Sequence, residues 1–393
     1  MRIKIKARPE DFIVEEIAAL PLVKKGDFAV YLLKKKGWNT VDLLFDLSRS
    51  KDIPFSLISY GGKKDRHSLS SQYIAIKNRK NLELAEGNYS LKFVGFMERP
   101  MGPDLIQANH FKIAVRDLKP QDIEACREEI ESVQAQGYAN YFDDQRFGCF
   151  DVRQGFLAAK ALKGEFNGAL KVYLTATYSQ DTEDEKKKKR FFFENWKDWD
   201  ACNSEASTQF EKKVFSYLIN HPKGFLDLLK SIPREELSVH IAALQSYLWN
   251  QMLKKIIMSF SGRGLRAYPG LAGEYVFYSQ LSQDDYLYLD GLDIAVPGAQ
   301  AKFTDKNLQE IYAQVLKAEG LKNSVFNNWK LRRAYFKSFQ RKSIVMPQGI
   351  LSPVALEDEL YSGKKKLMFE FSLARGSYAT MFLKRIFSED YIV

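Results

Sequence analysis

Ile58-Ser59-Tyr60-Gly61-Gly62-Lys63-Lys64-Asp65-Arg66-His67-Ser68, running on to Gln72, is the stretch on which the reading of this chain turns. The apolar run from Phe55 to Tyr60 predicts a strand that ends on two glycines. Glycine there frees the backbone to turn sharply and lets a ligand or a second backbone come close. Directly after the turn one carboxylate, Asp65, stands among Lys63, Lys64 and Arg66. Positive neighbours favour the ionised form, so Asp65 is expected to be a carboxylate at neutral pH. An ionised carboxylate displayed at the end of a strand suits a nucleophile. The same residues also fit a solvated turn without chemistry, and taken alone they leave both readings standing.

Upstream of the turn, residues 2–6 alternate basic and apolar, and Phe12, Val14 and Glu16 continue the alternation after Pro9. Asp27 to Leu33 predicts a second strand. Thr40 is placed to cap a helix whose apolar positions Val41, Leu44 and Phe45 recur at helical spacing until Pro54. Downstream, Gln72–Ile76, 89–96 and 110–116 read as strands. Residues 121–136 read as a helix, with Ile123, Cys126, Ile130 and Val133 on one face and Gly137 closing it. Near Gly148 the character changes. Residues 181–190, acidic and then basic, read as an exposed loop or solvated helix end, or as a basic tract on RNA backbone. From 206 to 260 the pattern is largely helical, with Ile241, Leu244, Leu248 and Met252 as a core stripe. Gly262 to Gly273 is glycine-rich but lacks a phosphate-loop ending, so it is assigned no nucleotide. At the C-terminal end Leu367, Phe369 and Phe371 alternate as a strand, Arg375-Gly376-Ser377 turns, and Tyr378 to Ile386 reads as a short helix.

With 393 residues the chain has room for two domains. No apolar run reaches the ~18–20 residues of a membrane span, and the N-terminus lacks a signal-peptide pattern, so neither a membrane nor export is expected. Three cysteines, Cys126, Cys149 and Cys202, contain no C-x-x-C pair. They argue against a disulfide framework or zinc site and fit a reducing cytoplasm. A net charge of +10 is compatible with a polyanionic partner, and 13% aromatic content supplies rings that could stack on unpaired bases.

The Asp65 stretch resembles the (A/G)G-x-KD-(R/K)-(H/x)-x-x-x-x-Q motif of the TruD family of tRNA pseudouridine synthases. Four further stretches resemble the same family in the same order. They are Lys6-Ala7-Arg8-Pro9-Glu10-Asp11-Phe12-Ile13-Val14-Glu15-Glu16, Asn109-His110-Phe111, Asn140-Tyr141-Phe142 through Gln145-Arg146-Phe147-Gly148, and Phe371-Ser372-Leu373 leading to Gly376-Ser377-Tyr378-Ala379-Thr380. Residues 155–340 match more loosely, and Ala108 stands where bacterial members often have glycine.

The resemblance implies an α+β protein. Its pseudouridine synthase catalytic domain, residues 1–154 and 341–393, would have a mixed, largely antiparallel sheet flanked by helices. Residues 155–340 would be an inserted α/β TRUD domain forming the other wall of a basic, RNA-gripping cleft. The implied reaction isomerises uridine to pseudouridine in tRNA, at uridine-13 of the D-arm, with no metal or cofactor. Asp65 would be the nucleophile, by an ester at C1′ or through a glycal. Lys6 would pair with it, Phe111 stack on the uracil, Asn109 position base or aspartate, and Phe12 wall the pocket. Arg146 would touch phosphate, and Gly376, Ser377 and Tyr378 would turn backbone N–H groups toward a phosphate or uracil oxygen. Plainer readings stand beside these. Lys6 also reads as an exposed strand lysine, Phe12 and Phe111 as core, Ser377 as a helix N-cap, and His67 and His110 as surface histidines. A monomer is the default. A non-catalytic RNA-binding protein, a synthase with other RNA targets and a base-removing glycosylase are the alternatives.

Overall fold

The computed structural model describes residues 3–78, 82–178, 181–260, 264–303, 305–350 and 353–390. The chain divides into two compact units, one of Met1–Tyr138 with Val345–Ser388, the other of Ala139–Ile344 with the segment from Glu389.

Period-two alternation in the first unit produces strands Phe12–Ala18 (β1), Phe28–Lys36 (β2), Ile58–Tyr60 (β3), Leu69–Lys77 (β4), Leu84–Glu86 (β5), Tyr89–Met97 (β6) and Ile106–Leu118 (β7). From the other end of the chain come Val354–Glu357 (β8) and Lys365–Ala374 (β9). They join one sheet in the order β8-β9-β7-β1-β4-β2-β6-β5, with β3 on β4. β1 and β4 run parallel; the other pairs are antiparallel. The architecture is therefore α+β with a mixed, largely antiparallel sheet. A strand from residue 365 onward lies beside β7 because Phe369 and Phe371 must bury the same face as Ile113 and Phe111, their register partners.

Two helices pack on that face, and a third is tied to one of them. Leu43, Leu44 and Leu47 of helix α1, Thr40–Ser50, pack with Tyr31, Leu33, Ile74 and Ile76; each leucine so buried contributes about 1.5–3 kcal/mol. Phe382 of the C-terminal helix packs on Phe369 and Phe371 of β9. That helix, Ala379–Ile386, is numbered α3; α2 spans Pro120–Gln136. Arg385 of α3 is tied to Glu129 and Ser132 of α2. Arg116 of β7 is buried among acids. Its Nε and Nη2 donate to the two Asp11 oxygens at 2.9 and 2.7 Å, and Nη1 donates to Asp358 at 2.8 Å. These bonds hold the arginine proton well above its ordinary range, and they pin the N-terminal turn Pro9–Asp11 to the sheet.

The second unit is mainly helical. Its helices include Glu183–Glu194, Gln209–Asn220 and Arg234–Ser259, and Leu265–Gly270 pairs with Gly273–Tyr278 as a hairpin. The long helix buries Ile241, Leu244, Leu248 and Met252, as its periodicity predicts. The 181–190 block takes the expected form of a helix end and not that of a loop. It caps and begins a helix, and Lys186, Lys188 and Lys189 pair with Glu183, Glu211 and Asp181. Gly262 and Arg2 lie outside the described residues.

Other details differ from expectation. Phe55–Leu57 is a 3-10 turn, and only Ile58–Tyr60 is strand. Asn39, not Thr40, caps α1, accepting the Asp42 amide. Tyr378, not Ser377, occupies the N-cap of α3, with no side-chain cap bond. The units part at 138/139 and 344/345, so Asn140–Gly148 and Arg341 belong to the second unit.

Candidate active site

The site grows from the sheet register. Lys35 of β2 lies opposite Ser70 of β4, Ser70 beside Val14 of β1, Val14 opposite Phe111 of β7, and Phe111 opposite Phe371 of β9. One cross-strand row on one face therefore carries a lysine, two small or branched residues and two phenylalanines. The next row along β1 and β7 pairs Glu16 with Asn109.

The loop of Asp65 is fastened over this face. Gly61 is where backbone approach requires glycine: a Cβ there would meet the Gly102 carbonyl oxygen at 2.9 Å and Ile106 Cδ1 at 2.5 Å. Gln72 Nε2 donates to the Gly62 carbonyl at 2.9 Å. Thr40 Oγ1 accepts the Lys64 amide at 2.9 Å and donates to Gln72 Oε1 at 2.7 Å. The Asp65 carbonyl accepts from Lys35 Nζ at 2.8 Å and from Ser68 Oγ at 2.9 Å. The turn is thus fixed by buried side chains from α1, β2 and β4.

Lys6 Nζ donates to Asp65 Oδ2 at 2.6 Å, with the two side chains 22% and 29% exposed. A charge-assisted bond of this length favours the carboxylate. The same ammonium lies 4.3 Å from the centre of the Phe12 ring. Lys6 adopts φ +60°, a left-handed conformation uncommon for a side-chain-bearing residue. The strained backbone aims Lys6 at Asp65, and the Arg116–Asp11 clamp holds the turn that follows it. Lys64 points the other way along the sheet, to Asn109 Oδ1 at 2.5 Å and Glu16 Oε2 at 3.0 Å. Lys35 is a buried cation beneath the loop. Burial pushes its ammonium down to about 8, with the negative charge of Asp65 opposing that shift.

The structure therefore gathers Lys6, Phe12, Asp65, Asn109 and Phe111 on one face of one unit. Phe111 is 6% exposed, edge-on to Phe12 at 6.1 Å and stacked on Phe371 at 5.7 Å. Gly376, Ser377 and Tyr378 link β9 to α3. Gly376 has φ +87°, which glycine adopts without cost, and Arg375 donates its amide to the Gln107 carbonyl at the end of β7. Arg146 lies in the second unit, 5.6 Å from the Phe142 ring. There Asn140 and Phe142 serve as scaffold: Arg341 Nη2 donates to Asn140 Oδ1 at 2.6 Å, and Asn250 brackets the Phe142 backbone from both sides. His110 faces the opposite side of β7, bound to Ser372 and Glu370, and His67 is exposed.

Glu16, Lys35, Thr40 and Lys64 are residues around Asp65 and Asn109 that sequence reasoning did not single out as site residues. Lys35 carried a usable signal. In Leu33-Lys34-Lys35-Lys36 it falls on the inward phase of an alternating strand, where a lysine needs partners.

Comparison with known proteins gives this arrangement its class: the protein is an RNA pseudouridine synthase, an isomerase. The family model of tRNA pseudouridine synthase D (TruD) matches residues 1–283 and 292–386. A Methanococcus maripaludis protein named "Probable tRNA pseudouridine synthase D 1" is 32% identical over 392 residues, covering 98% of this chain and 99% of its own. The tRNA pseudouridine synthase D of Aquifex aeolicus is 30% identical over 398 residues, covering 99% of each chain. A Methanosarcina mazei crystal structure that carries the TruD name superposes with a TM-score of 0.74 at 24% identity, over 98% of this chain and 93% of that one. The chain belongs to the TruD family.

Proposed function

We propose that this enzyme converts uridine-13 in the D-arm of tRNA to pseudouridine, with Asp65 as the nucleophile. The observation that carries the reading is the Lys6–Asp65 pair, 2.6 Å long and only partly exposed, set on the sheet face that also bears Asn109, Phe12 and Phe111.

The reaction breaks the N1–C1′ bond and joins C5 to C1′; the C5 proton is lost and N1 gains one, so the product is an isomer of the substrate. A carboxylate is the group suited to an electron-poor anomeric carbon, as in glycoside cleavage. Asp65 starts the reaction by adding to C1′ or by taking the C2′ proton; in both cases uracil departs as an anion and turns over before C5 re-bonds. Lys6 keeps Asp65 ionised and aimed. Phe12 and Phe111 form an apolar floor that disfavours water, which would otherwise divert the sugar to an abasic product. A stacked base must first be drawn out of the tRNA. The unit built from both chain ends carries the chemistry, since Lys6, Asp65, Asn109 and Phe111 all lie in it. The unit of residues 139–344 contacts RNA backbone, a role in keeping with the net charge of +10. Arg146 and the Gly376–Tyr378 turn remain phosphate contacts in this proposal, and the setting is the cytoplasm.

The test is incubation of unmodified tRNA with purified protein, followed by mapping of pseudouridine by chemical mass-shift labelling. A new pseudouridine at position 13 is expected. Its absence there, with label at another position or none, would overturn the assignment.

A further inference from the structure

We propose that Lys64, clamped by Glu16, is a positioning residue that decides which end of the Asn109 amide meets the target base. The inference rests on the pseudouridine synthase reading above and deepens it.

An asparagine amide has an acceptor end and a donor end of nearly the same shape, so only its partners choose its orientation. Lysine is a donor only. Lys64 Nζ lies 2.5 Å from Asn109 Oδ1, so the acceptor end of Asn109 is committed to it. Lys64 is itself held, because Nζ also lies 3.0 Å from Glu16 Oε2. Glu16 is in turn held by the Tyr73 amide of β4, which donates to Oε1 at 3.0 Å. The Glu16 side chain is 0% exposed and that of Lys64 9%, so solvent does little to weaken the pair. Glu16 and Asn109 are also register partners across β1 and β7. Two strands and the Asp65 loop thus converge on one amide and fix its polarity.

What Asn109 then offers a ligand is its Nδ2–H2 donor. Phe111 lies two residues further along the same strand, on the same face. On a uracil the matching atom is a carbonyl oxygen. When N1–C1′ breaks, the electron pair of that bond stays with the base, and its negative charge spreads onto the carbonyl oxygens. A donor already aimed at one of them binds more tightly as the charge develops, so it lowers the barrier and does more than hold the substrate. Turned the other way, the amide would set oxygen against oxygen.

The experiment measures single-turnover pseudouridine formation on three tRNAs, one unmodified and two carrying a single 2-thiouridine or 4-thiouridine at the target. Sulfur accepts hydrogen bonds poorly. Wild type is expected to slow about three- to tenfold on one of the two thio substrates, the loss of one hydrogen bond. Lys64→Arg, which keeps a donor-only cation, is expected to preserve that ratio. Lys64→Met is expected to lose it, together with about a hundredfold of rate on unmodified tRNA. Asn109→Asp keeps a partner for Lys64 but carries no donor, so it is expected to lose both rate and ratio while folding as wild type does. Wild type that is indifferent to both thio substrates, or Lys64→Met and Asn109→Asp variants that keep the wild-type ratio, would overturn the inference. Wild type inactive on unmodified tRNA would instead overturn the enzymatic reading beneath it.

Discussion

Lys35 shows how a single side chain shapes this site. Its side chain is inside the sheet, with Nζ donating to the carbonyls of Trp38 and Asp65 at 2.7 and 2.8 Å. Burial pushes its ammonium from an ordinary 10.5 down to about 8. The unfolded chain keeps the ordinary value. Below about 8 both states are protonated, and folding bears the whole cost of a buried charge, about 3 kcal/mol. Between about 8 and 10.5 the folded state has shed the proton and the unfolded state still holds it, so stability rises with pH across that window. Lys35→Met removes this dependence. The unfolding free energy of wild type relative to Lys35→Met should therefore rise by about 3 kcal/mol between neutral pH and pH ~10.5 in urea titrations. A difference that stays constant over that range would contradict the account. Asp65 was legible from its glycine turn and family motif. The partners Lys35 and Glu16 were not, because each owes its role to a strand pairing that local sequence does not display.

At the scale of elements, the start of α1, the Asp65 loop and β4 are one buried hydrogen-bonded unit. Thr40 and Gln72 are both fully buried, and Thr40 Oγ1 serves Lys64 and Gln72 together. Thr40→Val keeps the shape and leaves Gln72 Oε1 and the Lys64 amide short of a partner. A loss of about 1–3 kcal/mol is expected, with Thr40→Ser retaining most of the wild-type stability. Chemical denaturation of the three proteins checks this, and a valine variant as stable as wild type would refute it. Sequence reading placed α1 and β4 within a few residues but took Thr40 for the cap. Asn39 and Thr40 are both good capping residues, and only the tertiary partner of the hydroxyl separates them. The 181–190 block was ambiguous for a similar reason: its lysines find carboxylates such as Glu211, some twenty residues away, and alternating charge does not reveal that pairing.

At the scale of the whole molecule, β7, which carries Asn109 and Phe111, lies between β1 and β9, so residues 12–18 and 365–374 flank that strand from opposite sides. The mixed sheet and its use of both chain ends were legible through the family resemblance of stretches at the two ends, with the C-terminal alternation marking the strand itself. The unit boundaries were less so. Nothing in composition changes at 138/139 or 344/345, whereas a visible change of character near Gly148 lies beyond the break. The fold brings a lysine from residue 6, a carboxylate from residue 65 and an amide from residue 109 onto one face, and in the proposed reaction that carboxylate opens the glycosidic bond. The most direct measurement uses tRNA carrying tritium at uracil C5. Wild type is predicted to release tritium as C5 re-bonds to the sugar, and Asp65→Ala to release none above background while retaining the wild-type circular dichroism. Equal release from the two proteins would contradict it.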